Sequence, residues 1–233
     1  MAAMTARPEP HDALARLAAM REPYADGELL ERDVAPEPLE QFARWLADAV
    51  AAELPEPNAM VLATSGADGQ PSARTVLLKE ADDAGFGFFT NLGSHKSRQL
   101  AENPRAALLF PWFAMLRQVH VEGPIVSMTR EESARYFSSR PYGSRIGAWA
   151  SEQSTVIPSR DELDQRYAEL ARRWPDTGSP ADVPLPDHWG GFRVEPHTVE
   201  FWQGRVSRLH DRLRYRSREG PQERQWVVER LSP

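Results

Sequence analysis

The stretch Glu200–Arg212 reads EFWQGRVSRLHDR. An aromatic pair, Phe201 and Trp202, gives way at Gln203-Gly204 to a basic run. From Arg208 onward the large polar residues fall at every second position: Arg208, His210, Arg212. Successive side chains of a β-strand point to opposite faces. The spacing therefore predicts a strand over Ser207–Tyr215, with these three on one face and Leu209 turned toward packing. Two guanidiniums and an imidazole beside a Trp suit a flat, anionic, aromatic ligand, because arginine forks match phosphate and carboxylate oxygens and stack on rings. Arg214, Arg216 and Arg218 continue the alternation. Taken alone, the pattern fits a solvated edge strand as well as a ligand face.

Strand periodicity extends outward from this stretch. Gly190–Val194, Thr198–Gln203 and Gln225–Leu231 read as strands around it. In the first half, Met60–Thr64, Ser72–Lys79, Phe86–Thr90, Ala106–Trp112 and Leu116–Val126 do the same, with a turn signal at Asp68-Gly69. Helical spacing predicts a short helix at Leu14, Leu17 and Ala18. A longer one starts at Pro38, with Leu39, Phe42, Leu46, Val50 and Leu54 on its apolar face. Further helices are predicted at Ser94–Glu102, at Thr129–Ser139 behind a Thr129/Glu132 capping box, at Tyr142–Ala150, and at Ser159–Trp174. Many short strands with a few helices predict a mainly β fold of the α+β class, a barrel with helical additions. Residues 1–11, rich in Ala, Pro and Glu, are expected to be a disordered tail. Residues 12–233 are expected to form a single domain.

The chain has 233 residues and a formal net charge of −6. A chain of this length buries roughly 70–75% of its unfolded surface. It has no cysteine, which excludes disulfides and Cys-zinc sites and makes a reducing cytoplasm the expected compartment. No run approaches the ~20 apolar residues of a membrane span, and net acidity argues against general nucleic-acid binding. There is no P-loop, G-x-G-x-x-G, H-E-x-x-H or G-x-S-x-G, so NTPase, Rossmann, zinc-protease and serine-hydrolase chemistry are not expected. The six histidines are scattered, and no metal site is expected.

Three further segments carry chemistry. Arg74-Thr75-Val76-Leu77-Leu78-Lys79 is a strand charged at both ends. It can serve two anions or be an exposed strand. Phe89–Lys96 runs from a strand into a helix whose first N–H groups, with Thr90, Ser94 and Lys96, can cradle a phosphate, or can be an ordinary capped helix. Tyr136, Arg140 and Ser144 are spaced by four across Pro141. They can converge on an anion, or be a core tyrosine and a helix-terminal charge.

The order of residues in these segments resembles the pyridoxine/pyridoxamine 5′-phosphate oxidases, which are FMN enzymes. Glu200, Phe201, Trp202, Arg208, Leu209, His210, Asp211 and Arg212 fit that family's C-terminal signature. Arg74–Lys79 is similar to its Arg-x-x-Leu-Leu-Lys, and YFSSRPYGS, from Tyr136, to its Tyr-x-x-x-Arg-Pro-x-x-Ser. Phe89–Lys96 resembles Tyr-Thr-Asn-x-x-Ser-Arg-Lys with two departures. Phe89 replaces a tyrosine. His95 replaces an arginine, and an imidazole carries less charge near neutral pH than a guanidinium.

The resemblance implies an FMN-binding split β-barrel, working as a homodimer with flavin sites at the interface. It implies FMN contacts from Arg74, Leu77, Phe89, Thr90, Ser94, His95, Lys96, Gln118, Gln153, Ser154, Trp202 and Arg212, with Gln153-Ser154 reaching in from the partner subunit. Lys79, Tyr136, Arg140 and Ser144 would hold the substrate phosphate, while Arg208 and His210 hold the pyridine ring as the catalytic pair. Arg21 and Tyr24 would close over it. The implied partners are the phosphorylated substrate and O₂. Two other readings stay open: another split-barrel flavin or deazaflavin reductase, and a non-enzymatic pyridoxal phosphate carrier.

Overall fold

The computed structural model describes residues 17–19, 27–218 and 225–233. Among these, ten strands form one branched antiparallel sheet, accompanied by five α-helices. Strands β1 (Ala59–Ser65) and β2 (Pro71–Leu77) are a hairpin in which Ala59 pairs with Leu77. Asp68-Gly69 lies at its turn, with Gly69 at φ +73°. Strands β3 (Glu80–Asp82) and β4 (Gly85–Asn91) follow as a second hairpin. Then come β5 (Arg105–Trp112), β6 (Arg117–Ser127), β7 (Trp189–Val194), β8 (Thr198–Gln203), β9 (Asp211–Arg218) and β10 (Gln225–Arg230). The main path runs β10-β9-β8-β6-β5-β1-β2, and β7 joins β4 to β6 as a branch.

Strand β6 is the junction. Its Arg117–Glu122 part pairs with β8 and its Ile125–Ser127 part with β7. Gly123 sits at the handover, where a Cβ would lie 1.9 Å from the Glu195 carbonyl oxygen. Only glycine lets the two backbones approach that closely.

Helix α1 (Pro38–Ala51) begins on a proline, whose missing N–H costs nothing in a first turn. It buries Phe42, Trp45 and Ala49. Phe42 meets Phe86 and Phe110 edge-on at 5.0 and 4.9 Å, and Trp45 meets Phe201 at 5.2 Å. Such pairs contribute about 0.5–1.5 kcal/mol each beyond buried area. The strands feed this core by alternation: β1 buries Met60, Leu62 and Thr64, and β5 buries Ala106, Leu108, Phe110 and Trp112.

A second cluster of Phe137, Ile146, Val183 and Trp189 lies under α3 (Arg130–Ser139) and α4 (Tyr142–Ala150). The capping box opens α3 as expected. Glu132 N donates to Thr129 Oγ1 at 3.1 Å, and Thr129 N to Glu132 Oε2 at 2.7 Å. Helix α2 (His95–Glu102) leads from β4 to β5, and α5 (Arg160–Arg173) packs beside α4.

Several expectations need correction. Strand β9 starts at Asp211, not Ser207. Val206–Arg208 is a 3-10 turn in which Ser207 and Arg208 take φ +58° and +61°. Arg208 and His210 therefore lie in the loop before the strand and do not share a strand face with Arg212. Leu209 is 68% exposed. Val50 is also exposed, because the apolar face of α1 is centred on Phe42, Trp45 and Ala49. Ser94 and Ser159 precede their helices but make no side-chain cap. Of the helix at Leu14–Ala18, the described part is a 3-10 turn, Leu17–Ala19. The tail at 1–11, Arg21 and Tyr24 lie outside the described residues. Among the described residues no helix is long and apolar enough to cross a membrane, and no metal-ligating cluster occurs.

Candidate functional site

A cavity of about 980 Å³ opens where β2, β4 and the first turns of α2 and α4 meet. One end is built from β2, the end of β4 and the start of α2. Arg74 donates from Nη1 to Leu62 O at 3.0 Å and to Thr64 Oγ1 at 2.6 Å, and from Nη2 to Ser72 Oγ. Leu77, Phe89 and His95 line the same space. Lys96 is only 8% exposed. Its Nζ donates to Gln153 Oε1 at 2.6 Å, Thr90 Oγ1 at 3.0 Å and Ser94 Oγ at 3.3 Å. Burial, then the neighbouring Arg74 charge, pull its pKa down to about 8. Ser154 accepts from the His95 N–H at 3.2 Å, at the open end of α2.

The other end is built from α3, Pro141 and α4. Arg140 is the extended residue between the two helices, which turns the corner that Pro141 requires. Its guanidinium lies 4.9 Å over the Trp189 ring and 5.6 Å from Phe137. Its Nη1 is buried without a hydrogen-bond partner, and burial lowers its pKa. Lys79 Nζ stands 5.9 Å over Tyr136, and Ser144 completes this end.

Three near-parallel rings join the two ends. Phe89 lies 4.3 Å from Tyr136 and 5.4 Å from Trp189, and Tyr136 and Trp189 are 6.1 Å apart. Gly191 makes room for them, since a Cβ there would fall 2.7 Å from the Phe89 ring.

Arg74, Lys79, Lys96 and Arg140 line the cavity, and no carboxylate does so among the described residues. None of the four is in an ion pair there, although the described surface carries many. Buried cations are ordinarily paired. Here Lys96 is buried and Arg140 has a buried, orphaned N–H; with half-buried Arg74 and exposed Lys79 they form, among the described residues, an acid-free receptor for polyanionic ligand groups.

Gln118, Trp202, Arg208, His210 and Arg212 do not line this cavity. Gln118 pairs with Trp202 across β6 and β8, and Trp202 with Arg212 across β8 and β9. The three form a row on one face. Glu200 grips Arg212 with two hydrogen bonds, at 2.7 and 3.1 Å. His210 lies against Trp202 with ring centroids 4.5 Å apart. Its Nδ1 accepts from the Arg205 backbone N–H at 3.1 Å, so the neutral ring carries its proton on Nε2. Burial, then Arg208, lower its pKa and so favour the neutral ring.

Of the residues singled out in the sequence, Arg74, Leu77, Lys79, Phe89, Thr90, His95, Lys96, Tyr136, Arg140, Ser144, Gln153 and Ser154 share one cavity, with Ser94 behind Lys96. Within the single chain, the Gln153-Ser154 pair meets the cradle at Lys96 and His95, because the segment after α4 folds back onto α2. The sequence reading missed Trp189 and Asn91. The strand was read from Gly190, one residue past the ring that carries Arg140. The signal available was a tryptophan directly before Gly190-Gly191.

The comparisons with known proteins agree with this geometry. Residues 46–173 match the family model described as pyridoxamine 5′-phosphate oxidase. Residues 189–233 match the model of the pyridoxine 5′-phosphate oxidase C-terminal dimerisation region. A pyridoxine/pyridoxamine 5′-phosphate oxidase of Acidothermus cellulolyticus is 58% identical, over 91% of this chain and 96% of its own. One from Burkholderia multivorans is 56% identical, over 93% and 99%. Among solved structures, PhzG from Burkholderia lata, in complex with tetrahydrophenazine-1-carboxylic acid, superposes with a TM-score of 0.79 at 33% identity, covering 88% of this chain and 98% of PhzG. A pyridoxamine 5′-phosphate oxidase-related, FMN-binding protein from Nostoc punctiforme shares the fold, with a TM-score of 0.65 at 17% identity, covering 86% and 100%. The branched sheet is thus the split β-barrel, and the chain belongs to the pyridoxine/pyridoxamine 5′-phosphate oxidase family.

Proposed function

We propose that this chain binds FMN and, as a homodimer, oxidises pyridoxine 5′-phosphate or pyridoxamine 5′-phosphate to pyridoxal 5′-phosphate, with O₂ as acceptor. The observation that carries the reading is the acid-free cavity with a cationic group at each end. One end, Arg74 and Lys96 at the start of α2, suits the FMN phosphate. The other, Lys79 and Arg140 with Tyr136 and Ser144, suits the substrate phosphate. Two dianions match four uncompensated cations. When bound, the flavin supplies the two-electron acceptor that takes a hydride from the substrate C4′ and passes the electrons to O₂, giving hydrogen peroxide.

The protein contributes position and electrostatics. Arg140 offers its spare N–H to a phosphate oxygen. Thr90, Ser94, His95, Gln153 and Ser154 complete the flavin cradle, with Leu77 and Phe89 as apolar wall. Gln118, Trp202 and Arg212 present a face for the flavin, and Arg208 and neutral His210 one for the pyridine ring. These five residues lie outside the cavity of their own chain, which supports a site shared between two subunits. The dimerisation-region match of residues 189–233 supports the same arrangement. Arg21 and Tyr24 would close over the substrate. We further propose that residues 12–233 are one folding unit and that the enzyme works in the cytoplasm.

Anaerobic mixing of FMN-loaded protein with pyridoxamine 5′-phosphate tests the reaction. The flavin spectrum should bleach, then return with peroxide when air is admitted. Absence of flavin uptake, or a spectrum unmoved by both phosphorylated substrates, refutes it. A deazaflavin reductase would take up a different cofactor, and a carrier would bind pyridoxal phosphate without flavin.

A further inference from the structure

We propose that Gln99 is a positioning residue for the cofactor cradle: its buried amide oxygen, acting through two hydroxyls, fixes the Arg74 guanidinium relative to Lys96. The inference rests on the reading that Arg74 and Lys96 hold the FMN phosphate.

Gln99 and Thr64 are 7% and 4% exposed. Gln99 Oε1 accepts from Thr64 Oγ1 at 2.6 Å and from Ser72 Oγ at 2.7 Å. The same two hydroxyl oxygens accept from Arg74, Thr64 from Nη1 and Ser72 from Nη2. The direction of every bond follows from chemistry. A guanidinium only donates, so both hydroxyls must accept from it. Each then has its single proton left for Gln99, which must present oxygen and not its NH₂ group. Reversing the amide would set donors against donors.

Position adds the second half of the argument. Gln99 lies three residues after Lys96, one turn along α2. The helix is also tied to the β1–β2 hairpin by Ala67 N to Glu102 Oε2 and by Asn103 Nδ2 to Ser65 Oγ, each at 3.0 Å. Of these three ties, only Gln99 reaches the arginine. It makes the separation of the two cations a property of the scaffold, not of two mobile side chains.

Two variants that cut the relay at different points test this. One is Gln99→Met. The other is Thr64→Val with Ser72→Ala, which keeps Gln99. Binding of FMN to the flavin-free dimer is titrated from pH 7 to 9.5. Each variant should weaken FMN binding by about tenfold or more, the scale of a lost hydrogen bond to a charged group. The triple variant should be no worse than either, because the parts act as one unit. The pH at which affinity begins to fall should also rise, since a released Arg74 no longer depresses the Lys96 pKa. A merely structural Gln99 would lower the melting temperature and leave both FMN affinity and its pH midpoint unmoved in the folded protein. That result, or additive losses in the triple variant, overturns the proposal. If Gln99→Met does not fold, the hydroxyl pair decides alone. Wild-type protein that takes up no FMN overturns the underlying reading instead.

Discussion

Replacing Lys96 by methionine separates the cost of the cradle from its use. In the folded chain the Lys96 pKa falls from an ordinary 10.5 to about 8. The drop of about 2.5 pH units corresponds to about 3 kcal/mol at 1.36 kcal/mol per unit. Lys96 is buried, so solvent screens little of this. Its folded pKa lies below its unfolded one, so between pH 8 and 10.5 the unfolded chain holds the extra proton. Stability of the flavin-free protein therefore rises with pH across that window, and the penalty is fully present below pH 8. Urea unfolding of wild type and Lys96→Met at half-unit steps from pH 7 to 10.5 should show the difference between them changing by about 3 kcal/mol. FMN affinity moves the other way. Loss of one partner of a buried charged contact costs about 2–5 kcal/mol, or roughly 30- to 4000-fold. The variant should be relieved of the pH-dependent penalty and be unable to retain flavin. A stability difference that is flat with pH would show that Lys96 is not desolvated. A Lys96→Met protein with wild-type FMN affinity would remove Lys96 from the cradle.

Arg140→Met should lower kcat/KM for both phosphorylated substrates by roughly 30- to 4000-fold while leaving the FMN dissociation constant unchanged; released flavin would assign Arg140 to the wrong end of the cavity. Mixing inactive Arg74→Met and Arg208→Leu proteins under conditions that exchange subunits should restore about a quarter of wild-type activity, since half the dimers are mixed and each mixed dimer has one intact site. Absence of recovery after proven exchange would mean that Arg74 and Arg208 serve the same site from one chain. Arg212→Leu should lower both FMN retention and the melting temperature, because Glu200 loses its bidentate partner. Adding Glu200→Gln should restore the melting temperature and not the flavin.

What could be read from the sequence was local. The Thr129/Glu132 box needs only two residues three apart, and Tyr136–Arg140–Pro141–Ser144 announces its own corner. Met60–Thr64 and Ala106–Trp112 read as strands from their apolar runs, whereas which alternate residues are buried appears only in the structure. The stretch from Arg208 misled because its alternation is real only from Asp211 onward. Ser207 and Arg208 adopt positive φ, a conformation that non-glycine residues do not advertise. Asp211 showed no sign of its task, which is to accept Leu29 N, Arg205 Nη1 and Arg230 Nη1 at once. Gln99 was invisible for the same reason. Its partners come from two strands far up the chain, and a glutamine in a helix carries no mark of burial. Gln153-Ser154 was legible as a pair, but which copy of the cradle it serves depends on how the chain folds back after α4.

The branching of β6 has a consequence for how the chain assembles. Its pairing with β5 closes a short hairpin, and β1 with β2 closes another. Both need little loop-closure entropy and are poised to form first. The partners on its other edge, β7 and β8, arrive only after the intervening helices and the proline-rich segment before Trp189 have been made. Until then β6 presents an unpaired edge along most of its length. An open edge of this kind is a template for pairing with another chain. The slow, aggregation-exposed step of refolding should be the capture of that edge by the C-terminal strands. Polar Arg117, Gln118, His120 and Glu122, spread along the edge, then act as gatekeepers during synthesis.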